Sequence, residues 1–362
     1  MKHIVIDGRE WHSSTGRYVR NLVTQLEKID SKNRYSILLP PEDMDKWQPT
    51  NPNFQKAACP HREFTFDEQI GLKKQLKNLK PDLVHFPMVQ QPAWYHSKVV
   101  TTMNDLTTTR FLNPTKNQNI LRVKQVVYKW LNRRVVRKSA ALLTYSEFVK
   151  QDIVGHLGAD PAKITVTPLA GDKITDKAQP VKSLEGKKFI LYVGSASPHK
   201  NLSSLVAAFL LLRLHHPDLR LVFAGKKDAN YAHMEDWTQK IPNVIFTGRV
   251  SDGELRWLYE NTAAYVFPSL SEGFGLPGLE AMTHGAPVVS SDATCLPEIY
   301  GDAAMYFDPF NGNQQAEAIN EVLTDKRVRD ELIKKGKAQA AKYSWRKTAE
   351  QTLAVYQRTL SS

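Results

Sequence analysis

The chain has 362 residues, 41% of them hydrophobic and 24% charged, and a net charge of +12. That length suits two domains rather than one core, and no apolar run approaches the roughly 18 residues of a membrane span. Cys59 and Cys295, far apart in sequence, form neither a disulfide framework nor a metal-ligand set, so a cytosolic protein with reduced thiols is expected.

The excess charge is uneven. Residues 1–180 hold 28 Lys and Arg against 17 Asp and Glu, whereas residues 181–362 hold 21 against 20. The first half therefore expects an anionic partner: nucleic acid, an acidic membrane surface or a phosphate-bearing acceptor.

In chain order, Met1-Lys2-His3-Ile4-Val5-Ile6-Asp7 reads as a buried first strand rather than a signal peptide. That strand spans residues 4–7, and further strands are predicted at 35–39, 83–86, 99–102 and 142–145. After the first, Thr15, Gly16 and Arg17 lead into a helix, and a glycine before a helix start can cradle a phosphate or an acceptor hydroxyl. Asp43-Met44-Asp45 has the spacing of a metal-binding pair but lies in a charged, Pro-led segment, so no metal is expected there. His85 ends one strand, and Asn104 and Asp105 follow another. Residues 120–143 carry seven cationic side chains and no acid. In this segment Ile120, Val123, Val127, Trp130 and Leu131 make one helical stripe. That stripe is expected to be buried in its own domain, leaving the charges to meet an anionic surface at the inner face of a membrane. The segment has no stacking-aromatic or groove-helix signature, which argues against nucleic acid.

Residues 171–187, polar, with Pro180 and without periodicity, read as a linker. Beyond it, strands at 189–193, 219–224, 244–247, 264–267, 287–290 and 303–307 alternate with helices at 202–214, 252–261 and 278–283. Short continuous apolar strands separated by helices mean a parallel sheet covered on both faces. Gly194 ends the first of these strands, and Ser195 follows it. Lys200 then stands near a helix start at the sheet edge, where its ammonium can neutralise a diphosphate. Residues 263–300 carry the most information. There a strand runs into a loop with Glu272 and Glu280 eight positions apart, separated by Gly273-Phe274-Gly275-Leu276-Pro277. Pro277 sits near the first turn of a helix whose open N–H groups and dipole favour an anion, while the carboxylates accept from hydroxyls. A sugar nucleotide joins those two chemistries. The last segment, from Trp345 to Leu360, reads as an amphipathic helix with Trp345, Ala349, Leu353 and Tyr356 on one side.

The 263–300 stretch resembles the family-4 retaining glycosyltransferases, and the resemblance covers nearly the whole chain. Its subtype is similar to bacterial mannosyltransferase-like members that build surface polysaccharides. The family's architecture is GT-B, an α/β fold of two facing, doubly wound Rossmann-like domains with a C-terminal helix crossing back to the first. The resemblance implies an acceptor domain at 1–172, a nucleotide-sugar domain at 173–344 and the returning helix at 345–362. It implies transfer of a hexose from a UDP- or GDP-sugar to a glycan or lipid-linked acceptor, with retention and with neither a metal nor a cofactor. Lys200 matches the family's diphosphate-binding lysine, six residues after Gly194. Glu280 matches the acid that accepts from the ribose, Glu272 the acid that accepts from the transferred sugar, and the Phe274, Gly275 and Leu276 amides the diphosphate contacts. Arg249 and Val250 lie beside the base in relatives, and the loop of Thr15, Gly16 and Arg17, with His85 nearby, meets diphosphate and acceptor. Two departures stand out. Ser195 replaces an arginine common in the family, and Asn104 replaces the histidine of a His-Asp-Leu motif, so it cannot take up a proton. These leave open a sugar-nucleotide-binding protein without turnover, and a sugar-nucleotide epimerase on the same fold.

Overall fold

The computed structural model describes residues 1–13, 16–111 and 118–361, with the backbone alone at residues 108 and 118–124. It divides into two compact units. The first comprises Met1–Thr109, Val123–Leu169 and Ser344–Ser362, and the second is built around Ala170–Tyr343.

Seven parallel strands form the first unit's sheet: β1 (His3–Asp7), β2 (Arg34–Leu39), β3 (Phe54–Ala58), β4 (Leu83–Phe86), β5 (Val99–Thr102), β6 (Ala141–Thr144) and β7 (Ile164–Val166). Their order is β3-β2-β1-β4-β5-β6-β7. The central strands β1, β4 and β5 are buried along their whole length, as continuous apolar runs in a doubly covered sheet must be. The edge strand β3 buries Phe54 and leaves its remaining residues partly or wholly in water.

Six parallel strands form the second sheet: β8 (Phe189–Val193), β9 (Arg220–Ala224), β10 (Val244–Gly248), β11 (Ala264–Phe267), β12 (Val288–Ser291) and β13 (Ala304–Phe307). Their order is β10-β9-β8-β11-β12-β13, the doubly wound arrangement. In each sheet the winding reverses once, beside β1 in the first and beside β8 in the second. A crevice therefore opens at the C-terminal strand ends on both sides of each reversal. Residues 171–187 are mostly exposed, with Leu184 buried, and touch the second unit at a few points. A Cβ on Gly171 would lie 2.9 Å from the Leu279 backbone, and Gln179 N–H donates to Gly253 O at 3.0 Å.

The terminal helix Trp345–Ser361 belongs to the first unit and buries Trp345, Ala349 and Tyr356, as its stripe predicts. Leu353 is only half-buried, and Thr348, Thr352 and Val355 share the inner face instead. The threonines meet the core because their hydroxyls bond back along the helix, Thr352 Oγ1 to Thr348 O at 2.7 Å. Tyr356 places its hydroxyl 2.6 Å from His85 Nδ1, while His85 Nε2 lies 2.8 Å from Thr102 Oγ1. His85 has no exposed surface, so the expectation that it meets a ligand is corrected: Nδ1 ties the terminal helix to β4 through Tyr356, and Nε2 ties β4 to β5 through Thr102.

Burial lowers the His85 pKa from 6.5 to about 3, keeping the folded ring neutral where the unfolded chain takes up a proton. Stability from this group is therefore lost as pH falls from 6.5 towards 3. Tyr356→Phe should lower the unfolding free energy by about 1–3 kcal/mol, read from urea midpoints at neutral pH. His85→Gln, whatever its absolute stability, should lose less than the wild type across that acid range; equal slopes would contradict the assignment.

Candidate functional site

The loop after β8 is fixed by two tyrosines. Tyr231 donates its hydroxyl proton to Gly194 O and Tyr192 to Ser195 O, both at 2.8 Å, and Ser195 Oγ lies 3.1 Å from Ser197 Oγ. A 3-10 turn, Pro198–Lys200, follows and closes on Asn201 in the left-handed region at φ 55°. Asn tolerates that conformation, and its side-chain amide donates to Pro309 O at 2.9 Å. Leu270 N–H donates to His199 O at 2.7 Å, which ties the loop after β11 to the loop after β8. The tie brings Lys200 Nζ to 2.6 Å from Glu272 Oε1, with side chains 15% and 11% exposed. The ammonium also lies 5.5 Å from the centre of the Phe267 ring. An ammonium has three donors, so the pair leaves it capacity for a further anion.

Glu272 is held from behind: its N–H donates to Thr294 Oγ1 at 3.1 Å, and Cys295 Sγ lies 3.3 Å from its carbonyl oxygen. The chain then turns through Gly275 at φ 88° into the helix Leu276–Thr283, with Pro277 in its first turn. Tyr300 donates to Gly275 O at 2.6 Å. A Cβ at Gly275 would approach the Tyr300 hydroxyl oxygen to 2.5 Å and one at Gly278 to 2.3 Å, so only glycine fits at either place. Glu280, one turn in, is 6% exposed, and its Oε2 accepts from the Tyr259 hydroxyl at 3.4 Å. The helix ends at His284, whose Nε2 accepts from Ile174 N–H at 3.1 Å. That fixes the proton on Nδ1, which donates to Glu280 O at 2.8 Å.

Gly248 and Val193 both pair with Ala224, so the loops after β8, β9 and β10 adjoin. Arg249 is exposed and Val250 half-buried just past this edge. The structure thus brings Gly194, Ser195, Lys200, Arg249, Val250, Glu272, the 273–276 turn and Glu280 to one edge of the second sheet. Sequence reading missed the residues behind them: Tyr192, Tyr231, Thr294 and Tyr300. One signal existed for the last, since Leu296-Pro297 opens a helix as Leu276-Pro277 does.

In the first unit, Thr15 lies outside the described residues. Gly16 starts the helix Gly16–Ile29, and a Cβ there would strike Glu10 O at 1.9 Å. Its N–H donates to Ser13 Oγ at 3.0 Å, so close packing is its evident role, and Arg17 beside it is half-buried. Asp105 Oδ1 accepts from Thr107 N–H at 2.8 Å and caps the short helix Thr107–Arg110. Asn104 is half-buried beside it, with Oδ1 shielded from water and lacking a hydrogen-bond donor among the described residues. Asp43 is buried and holds His12 Nδ1 at 2.7 Å.

Two family models match successive stretches of the chain: Glycosyltransferase Family 4 over residues 15–172 and Glycosyl transferases group 1 over residues 173–339. The chain belongs to glycosyltransferase family 4. This glycosyltransferase is 31% identical over 227 residues to the O-antigen chain mannosyltransferase B of Escherichia coli, a match spanning 59% of the chain and 60% of that protein. It is 30% identical over 254 residues to the MMP alpha-(1->4)-mannosyltransferase of Mycolicibacterium hassiacum, spanning 66% of the chain and 60% of that protein. The chain thus matches about three fifths of either relative's length. Its fold is that of sucrose-phosphate synthase from Thermosynechococcus elongatus, with a TM-score of 0.75, 17% identity and full coverage of both chains. Anabaena HepE, solved with UDP and glucose, gives a TM-score of 0.75 at 14% identity, over 99% of this chain and all of that one. The fold is therefore GT-B, with two Rossmann-like domains and a C-terminal helix.

The crevice edge of the first unit holds a second charged cluster. Arg9 is buried and donates Nε and Nη2 to Asp7 at 2.7–3.1 Å, Nη2 to Glu68 Oε1 at 3.0 Å and Nη1 to His61 O at 3.1 Å. Beside it a small cavity is lined by Asp7, Glu10, Val19, Glu63, Pro87 and Met88. Burial, and then the bond and charge of Glu10, raise the Glu63 pKa from 4.5 to about 9. A raised carboxyl pKa supplies stability that is complete below 4.5 and is lost as pH climbs through 9. Glu63→Gln keeps a neutral donor at every pH. It should therefore flatten the loss of thermal stability between those values, and an unchanged slope in melting temperature against pH would refute the raised pKa.

Proposed function

We propose that this glycosyltransferase moves a hexose, of mannose type, from a nucleoside-diphosphate sugar to a glycan or lipid-linked acceptor in cell-surface polysaccharide synthesis. The observation that carries the reading is the Lys200–Glu272 pair, set beside a glycine-turned helix start with Glu280 one turn in. Lys200 and the 274–276 amides take the diphosphate, Glu280 the ribose hydroxyls and Glu272 the hydroxyls of the transferred sugar. Arg249 and Val250 lie where the loop can border the base, and the donor is a UDP- or GDP-sugar. The mannose assignment is supported by the names of the two mannosyltransferase relatives. Acceptor recognition falls to the first unit.

In the proposed reaction the acceptor hydroxyl oxygen bonds to the anomeric carbon as that carbon's bond to the diphosphate breaks. The diphosphate oxygen keeps the electron pair and takes the acceptor's proton, and configuration is retained. Asn104 then needs only to bond a sugar hydroxyl, which an amide does in either direction. Charge on the leaving diphosphate is met by Lys200 and the helix start, so the reaction runs without a metal.

Lys200→Ala should lower kcat by about two to three orders of magnitude with labelled GDP-mannose or UDP-glucose and an oligosaccharide or lipid acceptor. Full activity in that variant would end the leaving-group assignment. Glu280→Ala should weaken donor affinity by at least about tenfold in calorimetry, because a buried acceptor for hydroxyl protons is lost. EDTA should leave turnover unchanged. Conversion of the donor with no acceptor present would instead mark an epimerase, and donor binding with no turnover a binding protein.

A further inference from the structure

The stripe expected to be core is in part the outer surface. The side chains of Ile120 and Val123 lie outside the described residues; among the described positions of the helix Gln118–Lys138, Asn132, Val135 and Val136 are buried, Leu131 is half-buried, and Val127 is 56% and Trp130 49% exposed. Trp94, 51% exposed, sits against Trp130 with ring centres 5.9 Å apart. The loop carrying Trp94 is fixed to this helix, since Arg134 Nε donates to Ala93 O at 3.3 Å and Lys138 Nζ to Pro92 O at 2.6 Å. The same loop is fixed to the turn Glu68–Leu72, where Gln69 accepts from Ala93 N–H at 2.8 Å and donates to Gln91 O at 3.4 Å. That turn carries Ile70, 71% exposed, and the segment before it carries Phe64 and Phe66, 66% and 89% exposed. Phe64 in turn lies 6.3 Å from the Tyr128 ring of the helix.

With Val126, seven of the thirteen large apolar side chains exposed among the described residues fall on these three linked segments of the first unit. Scattered singly they would mean little, whereas gathered on three mutually bonded segments they mark a contact surface. The surrounding charge selects the partner. From residue 125 to 138 the helix has five cationic side chains and no acid, with Lys129, Arg133 and Arg137 exposed beside Trp130. Indole and phenyl rings prefer the boundary between headgroups and acyl chains, and lysine or arginine around them prefers anionic headgroups. No helix among the described residues is long and apolar enough to cross a membrane. We propose that this face of the first unit docks sideways on an anionic lipid surface, the Trp94–Trp130 pair entering the headgroup boundary and Lys129 and Arg133 neutralising lipid charge. The inference is independent of the transferase reading, because it is read from lipid binding alone.

The test is co-sedimentation of the full chain with phosphatidylglycerol-containing vesicles and with pure phosphatidylcholine vesicles. Binding to the anionic vesicles alone, weakened by salt, is expected. Trp94→Ser with Trp130→Ser, and separately Lys129→Glu with Arg133→Glu, should each lower partitioning by about tenfold or more. All four side chains are exposed, so circular dichroism and donor affinity should stay as in the wild type. Equal binding to both vesicle types, or full binding by either double variant, would overturn the proposal. So would a solution dimer that Trp94→Ser with Trp130→Ser dissolves, since a second copy would then be the occupant.

Discussion

An ammonium and a carboxylate 2.6 Å apart, both mostly withdrawn from water, set the geometry at the second sheet's C-terminal edge. Neither charge is stable there alone, because removing one partner leaves the other desolvated and uncompensated. The pair joins the loop after β8 to the loop after β11, which flank the place where the sheet's winding reverses. It therefore clamps the two walls of the crevice that a doubly wound sheet offers to a ligand. On the proposed reading, a diphosphate arriving at Lys200 does not need to displace Glu272, since the ammonium retains donors and the carboxylate retains lone pairs for sugar hydroxyls.

The clamp works because the backbone around it cannot relax. Tyr192, Tyr231 and Tyr300 each send a hydroxyl into a carbonyl of a turn, at Ser195, Gly194 and Gly275. A buried phenol needs such a partner, so ring burial and turn geometry stabilise each other. Burial raises the pKa of all three hydroxyls, which keeps them protonated and donating. The glycines are then required by their neighbours as well as by φ: the Tyr300 oxygen occupies the space a Cβ would need at Gly275 and Gly278.

What the sequence made legible follows from range. Period and composition are local, so the central strands, the helix opening at Leu276-Pro277 and the terminal amphipathic helix could all be read directly. The edge strand β3, with the sequence FQKAA, has neither alternation nor a continuous apolar run, and β7 is three residues long. Both exist because a neighbouring strand offers a ladder, which no local pattern records. Helical period likewise gives a stripe but not the side that faces inward. In the basic helix the inner face is built on Asn132, Val135 and Val136, with Ser139 just beyond it, and the more apolar stripe looks partly outward. His85 and Tyr356 meet across 271 positions, so nothing near either residue could reveal the contact. Tyr231 and Tyr300 likewise hold carbonyls 37 and 25 positions away, whereas Tyr192 lies three residues from Ser195 in a turn that has no local period.

The two departures from the family pattern acquire different meanings in the folded chain. Ser195, where the family resemblance implies an arginine, is committed to the turn: its carbonyl accepts from the Tyr192 hydroxyl and its own hydroxyl meets Ser197. That position contributes rigidity instead of charge. On the proposed reading, Lys200 and the dipole of a helix only eight residues long then meet more of the leaving group's charge than in a site with two cations. Asn104 is different, because its Oδ1 is shielded and lacks a donor among the described residues, a state that is costly unless something supplies a proton. A sugar hydroxyl would do so without asking the residue to change protonation state. Loss of the histidine is thus compatible with a reaction in which the leaving phosphate oxygen, rather than a side chain, collects the proton, and transfer then rests on placement and electrostatics.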